Sequence, residues 1–187
     1  MRSEWKPGNM LYPLPAVMVT SGDIDDKMNI FTVAWCGNAC TNPPYVYISV
    51  RPKRFSYELI KKNGDYVINL VTKDLVKACD YCGVVSGRDH DKFKEMNLTP
   101  IRLKGTNVPG IEEAPVNIVC HLEKEVELGS HNMLIASVKG VFVNDKFLDE
   151  KNYFDMKKAG LITYSHGEYY TLGEYVGKFG YSVRKKK

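Results

Sequence analysis

The sequence predicts a mainly β protein with a few interposed helices, arranged as an antiparallel barrel. Two observations lead there. Short runs rich in β-branched and aromatic residues recur along the chain, separated by Gly, Pro, Asn and Asp breakers. Helical patterns are few and do not alternate strictly with the strands, which disfavours a parallel doubly wound sheet. An antiparallel barrel with helices packed at its ends fits this order better.

Taken in order, Ala16 to Thr20 reads as a strand that ends at the turn Ser21-Gly22-Asp23. Ile30 to Trp35 is a second strand. Tyr45 to Val50 is a third, set off by the breaker Pro43-Pro44. Phe55, Leu59 and Ile60 repeat at helical spacing, and Asn63-Gly64 is a helix stop. Tyr66 to Val71 returns to strand. Lys73 to Tyr81 is helical, with Leu75, Val76 and Cys79 on one face, and Asp89 to Met96 is a short helix. Val116 to Glu127 alternates, so Val116, Ile118, Cys120 and Leu122 share one face and His121 takes the solvent side. Asn132 to Asn144 is either a strand pair or one long bent strand, and Tyr169 to Leu172 is a last short strand.

At 187 residues the chain fits one domain and can bury its own core without disulfide or metal. Residues 1–180 are assigned to that domain and 181–187 to a basic C-terminal tail. The net charge of +4 comes partly from the run Arg184 to Lys187, so bulk charge does not point to a nucleic-acid partner. No apolar run approaches the ~20 residues of a membrane span. Met1 to Gly8 is polar and includes Glu4, so it does not read as a secretory signal, and a cytoplasmic location is expected. Five cysteines, an odd number, argue against a disulfide framework.

The richest stretch for chemistry is residues 28–57. Arg51-Pro52-Lys53-Arg54-Phe55-Ser56 joins a strand to a helix and offers three cations, a hydroxyl and the free N–H groups of a helix start. This set suits a phosphate, because Arg presents a rigid fork and a helix N-terminus favours anions. The plainer alternative is a basic surface loop with Ser56 as an ordinary N-cap. Cys36, Cys40, Cys79 and Cys82 could supply four thiolates to zinc. The loose first spacing and the absence of glycine-rich knuckles favour buried free thiols, so no metal is expected. Among the four histidines, His131 follows Gly129-Ser130 at a strand start, where a barrel mouth would place it for ligand contact or proton transfer. His90 and His166 sit in polar contexts. The common Gly-rich nucleotide loops and the hydrolase nucleophile elbow are absent.

Four stretches in order carry a family resemblance. They are Leu14 to Thr20; Asn29-Ile30-Phe31-Thr32-Val33-Ala34-Trp35 with Thr41-Asn42-Pro43-Pro44; Ser49 to Tyr57; and Cys82 to Phe93, which contains Ser86-Gly87-Arg88-Asp89 and Asp91-Lys92-Phe93. Together they resemble the flavin reductase-like family with the flavin mononucleotide (FMN)-binding split barrel, a Greek-key antiparallel fold, and within it the flavoredoxin branch. The resemblance spans about residues 5 to 180. It implies that Thr32, Val33, Ala34 and Trp35, with Asn29 at the head of the strand, run along the flavin ring. It implies that Arg51, Lys53, Arg54, Phe55 and Ser56 form the phosphate segment. Ser86 and Lys92 would reach the flavin or its phosphate, and His131 would lie near the redox edge. It further implies a homodimer, for which 12 Tyr, 7 Phe and 2 Trp supply interface material.

The first functional reading is a flavoprotein that keeps FMN as a resident prosthetic group and passes electrons between a reduced donor and an acceptor. The cations of the phosphate segment, where flavin reductases often carry Ser and Thr, favour tight retention of the dianion. The second is a flavin-dependent oxidoreductase that uses NAD(P)H and releases reduced FMN. The third is a non-redox β-barrel binding module that stacks single-stranded nucleic acid on Phe31 and Tyr47. The near-neutral body weighs against the third. A redox partner protein or NAD(P)H is the expected partner, with neither nucleic acid nor membrane.

Overall fold

The computed structural model describes residues 1–183. The last four residues of the expected basic tail lie outside the described residues. The first strands are β1 (Leu14–Pro15), β2 (Val17–Gly22), β3 (Met28–Val33), β4 (Cys36–Cys40) and β5 (Tyr45–Val50). Helix α1 (Phe55–Asn63) and strand β6 (Asp65–Leu70) follow. Next come a short 3-10 turn at Lys73–Leu75, α2 (Val76–Val84) and α3 (Lys92–Glu95). The second half holds β7 (Pro100–Ile101), β8 (Gly110–Ile111), β9 (Val116–Glu127) and β10 (Asn132–Val143). It closes with α4 (Met156–Ala159), β11 (Ile162–Ser165) and β12 (Glu168–Thr171).

Seven strands form one antiparallel sheet in the order β3-β2-β6-β9-β10-β5-β4. β3 and β4 are its two edges, yet only Ala34 and Trp35 separate them in the chain. Three peptide links span at most about 11 Å, so the sheet must curl until its edges meet. The result is a barrel split along one seam, and that seam runs beside the strand expected to face the ring. At the seam Ser49 N–H donates to the Trp35 carbonyl at 2.7 Å, tying the linker to β5.

β2 is buried at every position because it is covered on both faces. Val17 and Val19 point into the barrel with Ile48, Tyr66, Ile68 and Leu134. Met18 points outward into a second core with Ile30 of β3 and with Cys79, Cys82 and Phe93 from the helical layer. A strand buried on both sides reads as a continuous apolar run rather than as alternation. α1 closes one end of the barrel through Ile60. Its C-terminus stops at Gly64, whose φ of 76° and N–H bond to the Ile60 carbonyl (2.8 Å) form the expected helix stop.

Several elements differ from expectation. The segment from Lys73 is a 3-10 turn before α2 begins at Val76, although Leu75, Val76 and Cys79 do share one packed face. The helix expected over residues 89–96 shortens to Lys92–Glu95, because Asp91 caps it by accepting from Lys94 N–H at 3.2 Å. Residues 132–143 are one long strand, bent by register shifts near Ile135 and Val138. Trp35 lies outside β3. β4 and β11 were not expected as strands; β4 forms by pairing with β5, and β11 by pairing with β1 and β12.

Candidate functional site

Two cavities open along the split and share Phe31 and Arg54 in their walls. The smaller, of about 160 Å³, lies between the start of α1 and the Val85–Arg88 loop. It is below the ~300–1,000 Å³ of a whole ligand site, so it takes one group of a ligand rather than the ligand entire. The structure brings Asn29, Lys53, Arg54, Phe55, Ser56, Ser86 and Lys92 together there. Among the described residues no carboxylate lines it.

Ser56 is not the N-cap of α1. Arg54 holds that position, and Ser56 lies inside the helix with no exposure at all. Its Oγ accepts from Ser21 Oγ at 2.9 Å and from Asn29 Nδ2 at 2.8 Å. With both acceptor sites used, its own hydroxyl proton is free to donate. Lys92 is 3% exposed and donates from Nζ to the carbonyls of Ile30 (2.7 Å) and Cys82 (2.8 Å). One of its three N–H donors remains. Burial brings its pKa down to about 8, opposed by Cys82 and assisted by the charge of Arg54. Ser86 Oγ accepts from Arg88 N–H at 3.2 Å and likewise keeps its proton. Arg54 makes no ion pair among the described residues. Spare donors and cations, gathered where no carboxylate lines the wall and next to a helix start, fit a phosphate dianion.

The loop that walls this pocket is held closely. Arg88 pairs with Glu58 on α1, donates to the Lys53 carbonyl at 3.3 Å and lies over the Phe55 ring at 5.3 Å. Gly87 is required at its position, because a Cβ there would lie 2.0 Å from Asn29 Oδ1. Sequence reasoning missed Ser21, Gly87 and Arg88 as site residues. The Ser-Gly-Arg run was a usable signal for the last two; nothing local marked Ser21.

The larger cleft, of about 800 Å³, receives Thr32, Val33, Ala34, Trp35, Arg51, Arg54 and His131. β3 is a sheet edge here, so one side of its backbone has no strand neighbour and can pair with the polar rim of a flat ligand. Thr32 Oγ1 donates to the Cys79 carbonyl and fastens the strand to α2. Trp35, 36% exposed, lies nearly parallel to the His131 ring at 8° with centroids 6.4 Å apart. Tyr164 of β11 tilts against Trp35 at 6.2 Å, and Tyr169 meets Tyr164 edge-on at 5.9 Å. Both tyrosines line the cleft and were not anticipated. Arg51 lies in this cleft and does not line the small pocket, so the expected phosphate segment divides between the two cavities.

His131 lies immediately before β10, and its Nδ1 is 2.9 Å from Ser130 Oγ. Burial and then the charge of Arg51 hold its pKa below the ordinary histidine value. The hairpin that carries it is braced from beneath. Glu125 accepts from Tyr57 Oη, from Lys61 Nζ (2.6 Å) and from Asn132 Nδ2 (2.5 Å), which binds the β9–β10 hairpin to α1. Three donors hold the Glu125 carboxyl down at about 2, with Lys61 contributing most.

The cysteines are divided. Cys36 and Cys40 lie on β4, while Cys79 and Cys82 lie on α2 within the second core. Burial pushes the thiols of Cys36, Cys79 and Cys120 up to about 12, so they are inert packing groups; Cys40 is exposed. Among the described residues no three metal-ligating side chains converge, and no helix is long and apolar enough to cross a membrane.

A split antiparallel barrel with a small cationic pocket joined to an aromatic cleft is an arrangement suited to a flat ligand with an anionic tail. Comparison with known proteins gives the family. It belongs to the family of the flavin reductase like domain, which it matches over residues 9–173. It is 31% identical over 141 residues to an uncharacterized protein of Archaeoglobus fulgidus, covering 75% of this chain and 78% of that one. Its structure is similar to the flavoredoxin of Desulfovibrio vulgaris (Miyazaki F), with a TM-score of 0.91 and 28% identity over 98% of this chain and 100% of that one. It is also similar to an FMN-binding protein from Thermus thermophilus, with a TM-score of 0.79 and 25% identity over 95% and 99% of the two chains. The split-barrel expectation is thereby met.

Proposed function

We propose that the chain holds FMN as a resident prosthetic group and passes electrons between a reduced donor and an acceptor. The observation that carries this reading is the pair of joined cavities. One is a small pocket whose buried Ser56 and Lys92 each keep a donor to spare; the other is a cleft edged by strand backbone and aromatic rings. The names of two structural neighbours, a flavoredoxin and an FMN-binding protein, support the same ligand.

When bound, the flavin supplies the redox chemistry. The chain's own residues hold and orient it. Arg54, Lys53, Ser56, Ser86 and Lys92 would hold the phosphate, with Asn29 and Ser21 fixing the Ser56 hydroxyl, and the 32–35 backbone would be available to the polar rim of the ring. His131, whose protonation is disfavoured by burial and by the charge of Arg51, can donate or accept a hydrogen bond at the cleft. The test is the visible spectrum of the protein after loading with FMN and desalting. A retained flavin spectrum supports the reading, and loss of all flavin on desalting overturns the resident cofactor.

The exposure of Trp35, Val84 and Leu128 around the larger cleft favours a second reading, in which NAD(P)H reduces flavin that then leaves. Steady-state oxidation of NAD(P)H with added free FMN tests it; no turnover sinks it. We also propose a homodimer. Leu11, Tyr175, Val176 and Phe179 are exposed on the terminal segments, and Val84 and Leu128 on the cleft rim, where a second copy would cover them. Sedimentation of the protein as a monomer would refute it.

A further inference from the structure

The small pocket supplies the donors that a phosphate needs and leaves Arg51 over. Arg51 lines only the larger cleft and makes no ion pair among the described residues. Among the described residues the one carboxylate in the cleft wall, Asp80, is on α2 and accepts from Tyr169 Oη at 3.2 Å. Arg51 lies near enough to His131 for its charge to disfavour protonation there. His131 is parallel to Trp35, and Trp35 touches Tyr164. A free guanidinium therefore stands at one end of an aromatic wall, inside a cleft near the upper end of the usual ~300–1,000 Å³ for ligand sites. Aromatic faces select flat ligands, and the exposed Arg51 guanidinium, without an ion partner among the described residues, selects a carboxylate, which it binds through two parallel N–H bonds.

We propose that Arg51, His131 and Trp35 form a second-ligand subsite in the larger cleft that takes planar aromatic carboxylates. The proposal rests on the flavin reading for the occupant of the rest of the cleft, while the chemistry of the subsite is set by its own three residues. Ser130, through its contact with His131 Nδ1, fixes the imidazole plane that completes the wall. No bond is made or broken in this binding step.

The test is calorimetric titration of the FMN-loaded protein with benzoate, benzamide and cyclohexanecarboxylate. Benzoate is expected to bind about ten-fold more tightly than either of the others, since only it offers both the plane and the charge. Arg51→Gln should bring benzoate down to the level of benzamide, about ten-fold, while leaving benzamide within about two-fold. Arg51→Lys, which keeps the charge but not the fork, should fall between the two. Trp35→Leu should weaken both aromatic ligands and leave cyclohexanecarboxylate unchanged. Equal affinities for benzoate and benzamide, or an unchanged benzoate affinity in Arg51→Gln, would overturn the subsite. Flavin retention, read by visible absorption, separates the two proposals. A chain that retains no flavin yet distinguishes benzoate through Arg51 keeps the subsite and loses the flavin reading; a flavin-loaded chain without that distinction does the reverse.

Discussion

The floor of the small pocket is made of buried side chains already held by hydrogen bonds, Asn29, Ser56 and Lys92, with the exposed cations Lys53 and Arg54 at its rim, whereas the larger cleft is walled by half-exposed rings and strand backbone. Ser56 has both acceptor sites filled from Ser21 and Asn29, and Lys92 is fixed between two carbonyls. In the cleft, Trp35, His131, Tyr164 and Tyr169 touch through ring faces and edges, and Arg51 has no ion partner among the described residues. Fixed donors lose little freedom when an anion arrives, so they suit the invariant end of a ligand. Loosely packed rings can shift to admit different partners, which suits the end where chemistry varies. The same fold thus sets a rigid anchor beside an adaptable wall.

The largest expected effect comes from breaking the anchor's packing. Gly87→Ala places a methyl group on Asn29 and should cost about 1–3 kcal/mol of stability through overpacking. With Asn29 displaced from Ser56, FMN affinity should fall by about 100-fold, measured by fluorescence titration. Removing a charge without disturbing packing is the next test. Arg54→Gln should weaken FMN by about 10- to 100-fold and leave riboflavin, which lacks the phosphate, bound as before. An equal loss for both ligands would place Arg54 outside the anchor.

Lys92 gives the anchor a pH signature. In the free protein its ammonium is lost near pH 8 because burial disfavours it, and a bound dianion favours the charged form. FMN affinity should therefore fall as pH rises through about 8, by at most about ten-fold per pH unit, and Lys92→Met should be flat there. The brace between the two regions has the opposite sense. Glu125 is held at about 2, below the usual carboxylate value of 4.5, so its contribution is present above about 4.5 and is lost as pH falls toward 2. Acid unfolding of Glu125→Gln should be less steep in that window. The smallest effect belongs to the cleft. His131 should titrate below the ordinary histidine range by NMR, and Arg51→Gln should move it upward, since one of the two causes of its depression is gone. Because the unfolded chain binds that proton more readily, the part of stability owed to neutral His131 declines as pH falls below about 6.5.

The strands that carry the site's frame were legible because each obeys a local rule. β2 and β5 read as dense β-formers, β9 alternates, and α1 has helical spacing with a glycine stop. β4 was not legible: Cys-Gly-Asn-Ala-Cys has little strand preference and is mostly exposed. It becomes a strand because β5 follows it after the short turn of residues 41–44 and offers it a ladder. β11, Ile-Thr-Tyr-Ser, is rich in β-formers but only four residues long, too short for a period to show, and Tyr164 was hidden with it. Within the site, the cations at 51, 53 and 54 and the strand at 32–35 could be found in the sequence. Their division between two cavities could not, since it depends on which way the chain leaves β5.

What the sequence alone determined is the class of fold and the segments that meet a ligand, because apolar period, turn residues and local charge act over a few residues. What only the tertiary structure decided is how those segments share the work. Ser56 lies 35 residues from Ser21 and 27 from Asn29, and Lys92 lies 62 from the Ile30 carbonyl it holds. Such contacts form when the sheet curls and brings its two edges together, and no local rule carries the curvature of the whole sheet.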